Sequence, residues 1–195
     1  MRSTKLIAIL CGSVLASVPV LAQGPEYSKQ EVSVQALGSF VKSTWENGIE
    51  QKASNSGGVL ASYRYFFTQK NGVEVNYAFS TSTQSYNSFG VDSHSNEVSA
   101  AYVFRMPLKH FTPFVLAGAG GLVFSPKDFV SASTQARAAF VYGGGADFNI
   151  SSRVFVRAEY RGLVYNSPTY DLSALNGADR VTHRAEPSIG LGYRF

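Results

Sequence analysis

The sequence has 195 residues, with 17 Lys or Arg against 13 Asp or Glu, for a formal net charge of +4. So mild a balance gives no footing for a nucleic-acid partner, and the single cysteine, Cys11, supplies neither a disulfide nor a thiolate ligand set. The length suits one domain.

The chain opens with Arg2 and Lys5 ahead of a mostly apolar run, Leu6 to Val20, that Gly12, Ser13, Ser17 and Pro19 interrupt. Val20-Leu21-Ala22 before Gln23 places small residues where a signal peptidase reads them. The run is too short and too broken for a spanning helix, which needs roughly 20 apolar residues. Residues 1–22 therefore read as a secretory signal peptide. Its removal takes away Cys11, Arg2 and Lys5, so that the charge falls from +4 to +2. Leu10 is too large to precede a lipidated cysteine. Residues 23–31 read as a short periplasmic segment, and 32–195 as one outer-membrane domain.

No hydrophobic stretch after residue 22 could cross a bilayer as a helix, so a closed barrel is the one remaining way to span it. Two-residue alternation predicts eight strands: Val32–Val41, Gly58–Phe67, Val73–Thr81, Glu97–Arg105, Phe111–Phe124, Arg137–Phe148, Val154–Tyr165 and Val181–Phe195. Most match the 9 to 11 residues that a tilted transmembrane strand takes. Ser43–Gly57, Ser82–Asn96, Ser125–Ala136 and Asn166–Arg180 read as long polar connections, whereas Thr68–Gly72, Met106–His110 and Asn149–Arg153 are short. Long extracellular loops alternating with tight periplasmic turns give an eight-stranded antiparallel up-and-down barrel with both termini in the periplasm.

Charge placement supports that phase. In Val73–Thr81, for example, Val73, Val75, Tyr77 and Phe79 oppose Glu74 and Asn76; in Val154–Tyr165, Val154, Val156, Ala158 and Tyr160 oppose Arg157, Glu159 and Arg161. An Arg or Lys on the lipid face at mid-membrane would cost about 2–4 kcal/mol. The expected lumen set is Arg64, Arg105, Arg137, Arg157, Arg161, Arg184 and Arg194 against Glu74, Glu97, Asp147, Glu159 and Glu186. Near-matched charges in a space that eight strands' side chains can fill favour a salt-bridged plug. The fifth strand is apolar or glycine on both faces and its phase stays open. Gly118, Gly120, Gly121 and Gly143–Gly145 are expected to allow strong coiling or close neighbours.

Gly143-Gly-Gly-Ala-Asp-Phe148, Arg157-Ala-Glu-Tyr-Arg161 and the ending Gly190-Leu-Gly-Tyr-Arg-Phe195, with the signal peptide and eight alternating segments, resemble the small outer-membrane barrels that include the OmpA transmembrane domain, OmpX and related porin-family domains. The resemblance covers essentially the whole mature chain. It implies that Ile189, Leu191, Tyr193 and Phe195 serve as an assembly signal for the barrel-assembly and periplasmic chaperone machinery. Because the chain ends with the last strand, tethering by an OmpA-type peptidoglycan-binding domain is not expected. The other expected partners are outer-membrane lipid, lipopolysaccharide and an extracellular ligand at the loops, where Trp45, Tyr86, Phe89 and Tyr170 stand; no cofactor is expected.

Three functions remain in view: a structural or surface-interaction barrel, a narrow solute or ion channel lined by the same arginines, and a lipid A-modifying enzyme. The last draws on His94-Ser95-Asn96 and on His183 with Glu186, but the adjacent His94 and Ser95 do not match the His-x-Ser-Asn spacing of the deacylase family. His94 reads as a solvated loop residue and His110 as a turn residue, and no catalytic, metal or cofactor residue is assigned.

Overall fold

The computed structural model describes residues 28–41, 44–46, 49–53, 56–86, 89–126, 134–166 and 181–195. Ten strands form: β1 Gln30–Val41, β2 Thr44–Glu46, β3 Ile49–Ala53, β4 Ser56–Phe66, β5 Asn71–Tyr86, β6 Phe89–Arg105, β7 Phe111–Pro126, β8 Gln135–Asn149, β9 Val154–Asn166 and β10 Val181–Arg194. β1 and β4 to β10 pair with their chain neighbours, always antiparallel, and β1 closes on β10 from Glu31↔Arg194 to Val41↔Arg184. The result is a closed eight-stranded barrel. Closure leaves none of the eight barrel strands as a sheet edge, as the hydrocarbon of a membrane demands. The signal peptide expected at residues 1–22 lies outside the described residues.

Two-residue alternation became a two-faced wall. On β1, Glu31, Ser33, Gln35, Leu37 and Ser39 are buried, while Val34 is 61% exposed. On β10, Ile189 and Leu191 are each 60% exposed and alternate with inward Ser188 and Gly190. So many exposed apolar side chains would be a liability in water; in a bilayer they are the lipid contact. Tyrosines band this wall near both ends of the strands. Tyr63 donates to Gln30 (3.1 Å), Tyr102 to Asn71 (2.5 Å) and Tyr77 to Asn96 (2.8 Å), the pattern of rings in acyl chains with hydroxyls at the polar boundary.

Two expectations need correction. The connection expected over Ser82–Asn96 is mostly ladder: β5 and β6 continue pairing up to Tyr86↔Phe89, which leaves only residues 87–88 between them. Residues 82–93 carry Ser, Thr, Gln, Asn and Asp at both parities, so the hydropathy alternation that betrays a strand disappears although the backbone pairing continues. The Ser43–Gly57 connection likewise contains β2 and β3, with β3 paired to β5 from Gln51↔Tyr86 to Ala53↔Gln84. Secondly, β1 starts at Gln30 rather than Val32, which brings Glu31 into the barrel.

β7 also takes a definite phase: Thr112, Phe114, Leu116, Leu122 and Phe124 point inward, and Phe111, Val115 and Val123 outward. A Cβ on inward-facing Gly118 would lie 2.0 Å from the Ala100 carbonyl oxygen, whereas one on outward-facing Gly121 would meet nothing within 4 Å. Close strand approach therefore requires the first glycine and not the second.

Candidate lumen charge network

Inside the wall, apolar and charged residues divide the space. Ala101, Val103, Phe114, Leu116, Leu122, Val141 and Leu163 gather in one cluster along β6, β7, β8 and β9. β9 and β10 supply three charges each, β6 two, and β1, β4, β5 and β8 one each, and these fill what remains.

They form two groups. In the group nearer the short turns, Arg157 binds Asp147 through Nε (2.7 Å) and Nη2 (2.8 Å), and reaches Glu31 at 3.1 Å. Glu31 also takes Arg105 (2.5 Å) and Arg194 (3.0 Å). Arg64 pairs with Glu74 on the neighbouring strand and reaches Glu159 at 3.4 Å across the lumen. Four arginines thus meet four carboxylates. In the second group, Arg161 forks onto Glu97 (3.1 and 3.2 Å) and Glu186 (2.5 Å), while Arg184 binds Glu186 (2.8 Å) and donates to Ser95 and Ser80. Two arginines meet two carboxylates there.

Aromatic rings flank the first group. The Arg64 guanidinium lies 3.9 Å from the Phe114 ring centre, Arg105 3.4 Å from Phe66, and Arg194 4.4 Å from Phe155. Such stacking suits Arg, whose flat, weakly hydrated head tolerates an apolar neighbour better than an ammonium does.

The structure thus brings together Arg64, Glu74, Glu97, Arg105, Asp147, Arg157, Glu159, Arg161, Arg184, Glu186 and Arg194. Arg137 stands apart, half-buried at the far rim, where its Nη2 donates to Gln135 (3.4 Å) beside an open recess of about 320 Å³. Sequence reasoning missed Glu31, the acid that binds three arginines. The alternation Glu31-x-Ser33-x-Gln35 against Val32, Val34 and Ala36 carried the signal, but the strand was begun one pair too late.

The catalytic-looking histidines are not assembled for hydrolysis. His183 points outward and bonds the Tyr142 hydroxyl (2.8 Å), whereas Glu186 points into the lumen. His94 is a strand residue, not a loop residue: it faces outward on β6 against Thr81 (3.2 Å) and Phe79, while Ser95 faces inward to Arg184. Adjacent residues on a strand lie on opposite faces and cannot form a relay. His110 sits exposed in the β6–β7 turn as expected. At the chain end, Ile189, Leu191, Tyr193 and Phe195 share the outward face, with Tyr193 and Phe195 in edge contact at 5.2 Å.

Three solved structures share the fold. The Ail attachment invasion locus protein of Yersinia pestis matches with 23% identity and a TM-score of 0.56, covering 87% of this chain and all of its own. Neisserial surface protein A matches with 16% identity and a TM-score of 0.65, covering 86% of this chain and 98% of its own. OprG of Pseudomonas aeruginosa matches with 17% identity and a TM-score of 0.63, covering 90% and 99%. No curated protein matches in sequence. The family model of the outer membrane protein beta-barrel domain matches residues 8–195, and the chain belongs to that family of integral outer-membrane barrels.

Proposed function

We propose that this barrel is a closed scaffold whose work is done at its extracellular end, in a structural or surface-interaction role. The observation that carries this reading is the lumen: six arginines and six carboxylates pair one group against another, and an apolar cluster fills the remainder. A lumen in which every one of these charged side chains has an opposite partner supports a closed barrel over an open pore.

The end opposite the short turns has the features of a contact surface. β2, β3 and the upper parts of β5 and β6 extend the wall as one sheet beyond the barrel's other strands. The segments at this end are rich in Ser, Asn and Thr and carry Trp45, Tyr86, Phe89 and Tyr170, a composition that suits adaptable hydrogen bonds around aromatic anchors. Ail, similar in fold, has been crystallised with the heparin analogue sucrose octasulfate. Here residues 42–57, 82–93, 127–133 and 167–180 hold Lys42, Lys52, Lys127 and Arg180 against Glu46, Glu50, Asp92, Asp128, Asp171 and Asp179, a net −2. That balance favours a protein partner over a polyanionic glycan. The test is to replace the four extracellular connections with short Gly-Ser turns in expressing cells, then measure attachment to host surfaces and detergent resistance. Loss of either supports the role; no change in both removes it.

The alternative, a narrow channel, is favoured by buried polar atoms without a protein partner in the lumen, among them Gln35 Nε2, Asn76 Oδ1 and Glu159 Oε1, where water could thread. An assembly role for Ile189, Leu191, Tyr193 and Phe195 is proposed alongside, supported by their shared outward face at the chain end.

A further inference from the structure

The short-turn end of the barrel carries a ring of positive charge. Lys29 precedes β1, Lys70 closes the β4–β5 turn, Lys109 lies in the β6–β7 turn and Arg153 ends the β8–β9 turn; all four are exposed. Among the described residues no exposed Asp or Glu side chain stands at this end. Glu31, close to this end on β1, is buried and engaged by Arg105, Arg157 and Arg194. The opposite connections are net acidic, so charge is divided between the two ends rather than scattered.

Local hydrogen bonds fix the backbone of two of these turns. The Thr68 hydroxyl accepts hydrogen bonds from the N–H groups of Lys70 (3.3 Å) and Asn71 (3.0 Å), and the Ser151 hydroxyl accepts them from Arg153 (3.3 Å) and Val154 (3.0 Å). Two turns of different sequence thus use the same hydroxyl clamp to set a cation two residues downstream. Arg153 Nη1 also donates to the Tyr193 hydroxyl at 3.3 Å, which lays the guanidinium against the outward face rather than over the lumen mouth.

The same turns expose Met106, Leu108 and Ile150, the last by 64%. Exposed apolar side chains beside unneutralised cations suit the boundary of a bilayer, where the apolar groups enter acyl chains and the charges meet phosphate. A soluble anion would use the cations but leave Ile150 and Leu108 in water.

We infer that Lys29, Lys70, Lys109 and Arg153 form a headgroup-binding ring for anionic phospholipid in the leaflet at the short-turn end, fixing the barrel's depth in the membrane. The inference goes beyond the extracellular role proposed above and does not depend on it.

The test is electron spin resonance of the chain from Gln23, reconstituted in vesicles containing spin-labelled phosphatidylglycerol or spin-labelled phosphatidylcholine. At low salt the protein should select the anionic lipid about fivefold, the usual strength of one basic residue at an anionic surface, and the selectivity should fall toward one in about 1 M salt. K29Q/K70Q/K109Q/R153Q should abolish it, and K42Q/K52Q/K127Q/R180Q should leave it intact. Heat-modifiable gel mobility verifies that both variants fold. Equal association with both lipids, or a preference that only the second variant removes, overturns the inference. Co-sedimentation with peptidoglycan that depends on the ring, without lipid selectivity, would assign the ring to the cell wall and overturn it as well.

Discussion

Arg161→Met isolates one buried carboxylate. Glu97 is 1% exposed, and Arg161 is its cation partner through both oxygens, at 3.1 and 3.2 Å; the Ser99 hydroxyl (2.9 Å) is the other donor it has. Glu186, the second acid on Arg161, keeps Arg184 at 2.8 Å. The substitution therefore leaves one orphaned carboxylate, and removing one partner of a buried pair costs about 3–5 kcal/mol. Adding Glu97→Leu deletes the orphan and restores the charge balance, so Arg161→Met/Glu97→Leu should regain most of the loss, because an apolar replacement of a whole buried pair is often close to neutral. In urea unfolding of the vesicle-inserted barrel, read by gel mobility, a slope of roughly 2 kcal/mol/M turns the single loss into a midpoint shift of about 2 M. A single variant that costs under about 1 kcal/mol, or a double variant no better than the single, would refute the idea of a dry, mutually paired lumen.

On β7, Gly118→Ala should destabilise by about 1–3 kcal/mol, since its Cβ would sit 2.0 Å from the Ala100 oxygen, while Gly121→Ala should be nearly neutral in the same urea assay. Val98→Arg, at a site 58% exposed on the lipid face, should cost about 2–4 kcal/mol if it lies near mid-membrane. Deleting Phe195 should lower the amount of folded barrel in cell outer membranes, seen by fractionation, yet leave spontaneous refolding into vesicles near the wild-type rate. Equal loss in both settings would mark Phe195 as purely structural.

The strands and their phases were legible because hydrocarbon outside and charge inside impose opposite demands on alternate residues. Val73-Glu74-Val75-Asn76-Tyr77 could be read in only one way. β7 could not, because Phe114, Leu116 and Leu122 face an apolar interior while Val115 and Val123 face lipid, and hydropathy does not separate two apolar environments. The continuation of β5 and β6 was hidden for the complementary reason that polar residues there fall at both parities, as in Ser82-Thr83-Gln84-Ser85. Arginine and carboxylate counts on the inner face were readable, but the pairing of Arg161 with Glu97, on strands β9 and β6, was not. It depends on how the closed ladder brings distant strands face to face across the lumen. Glu31 shows that a strand begun two residues late can lose the most connected acid in the interior.

Single-channel recording of the refolded barrel in a planar bilayer tests the plugged lumen most directly. A plugged lumen predicts a properly folded, electrically silent protein. A steady conductance that changes on substitution of Arg157 or Arg161 would contradict it and make the lumen, rather than the extracellular end, the working part of the molecule.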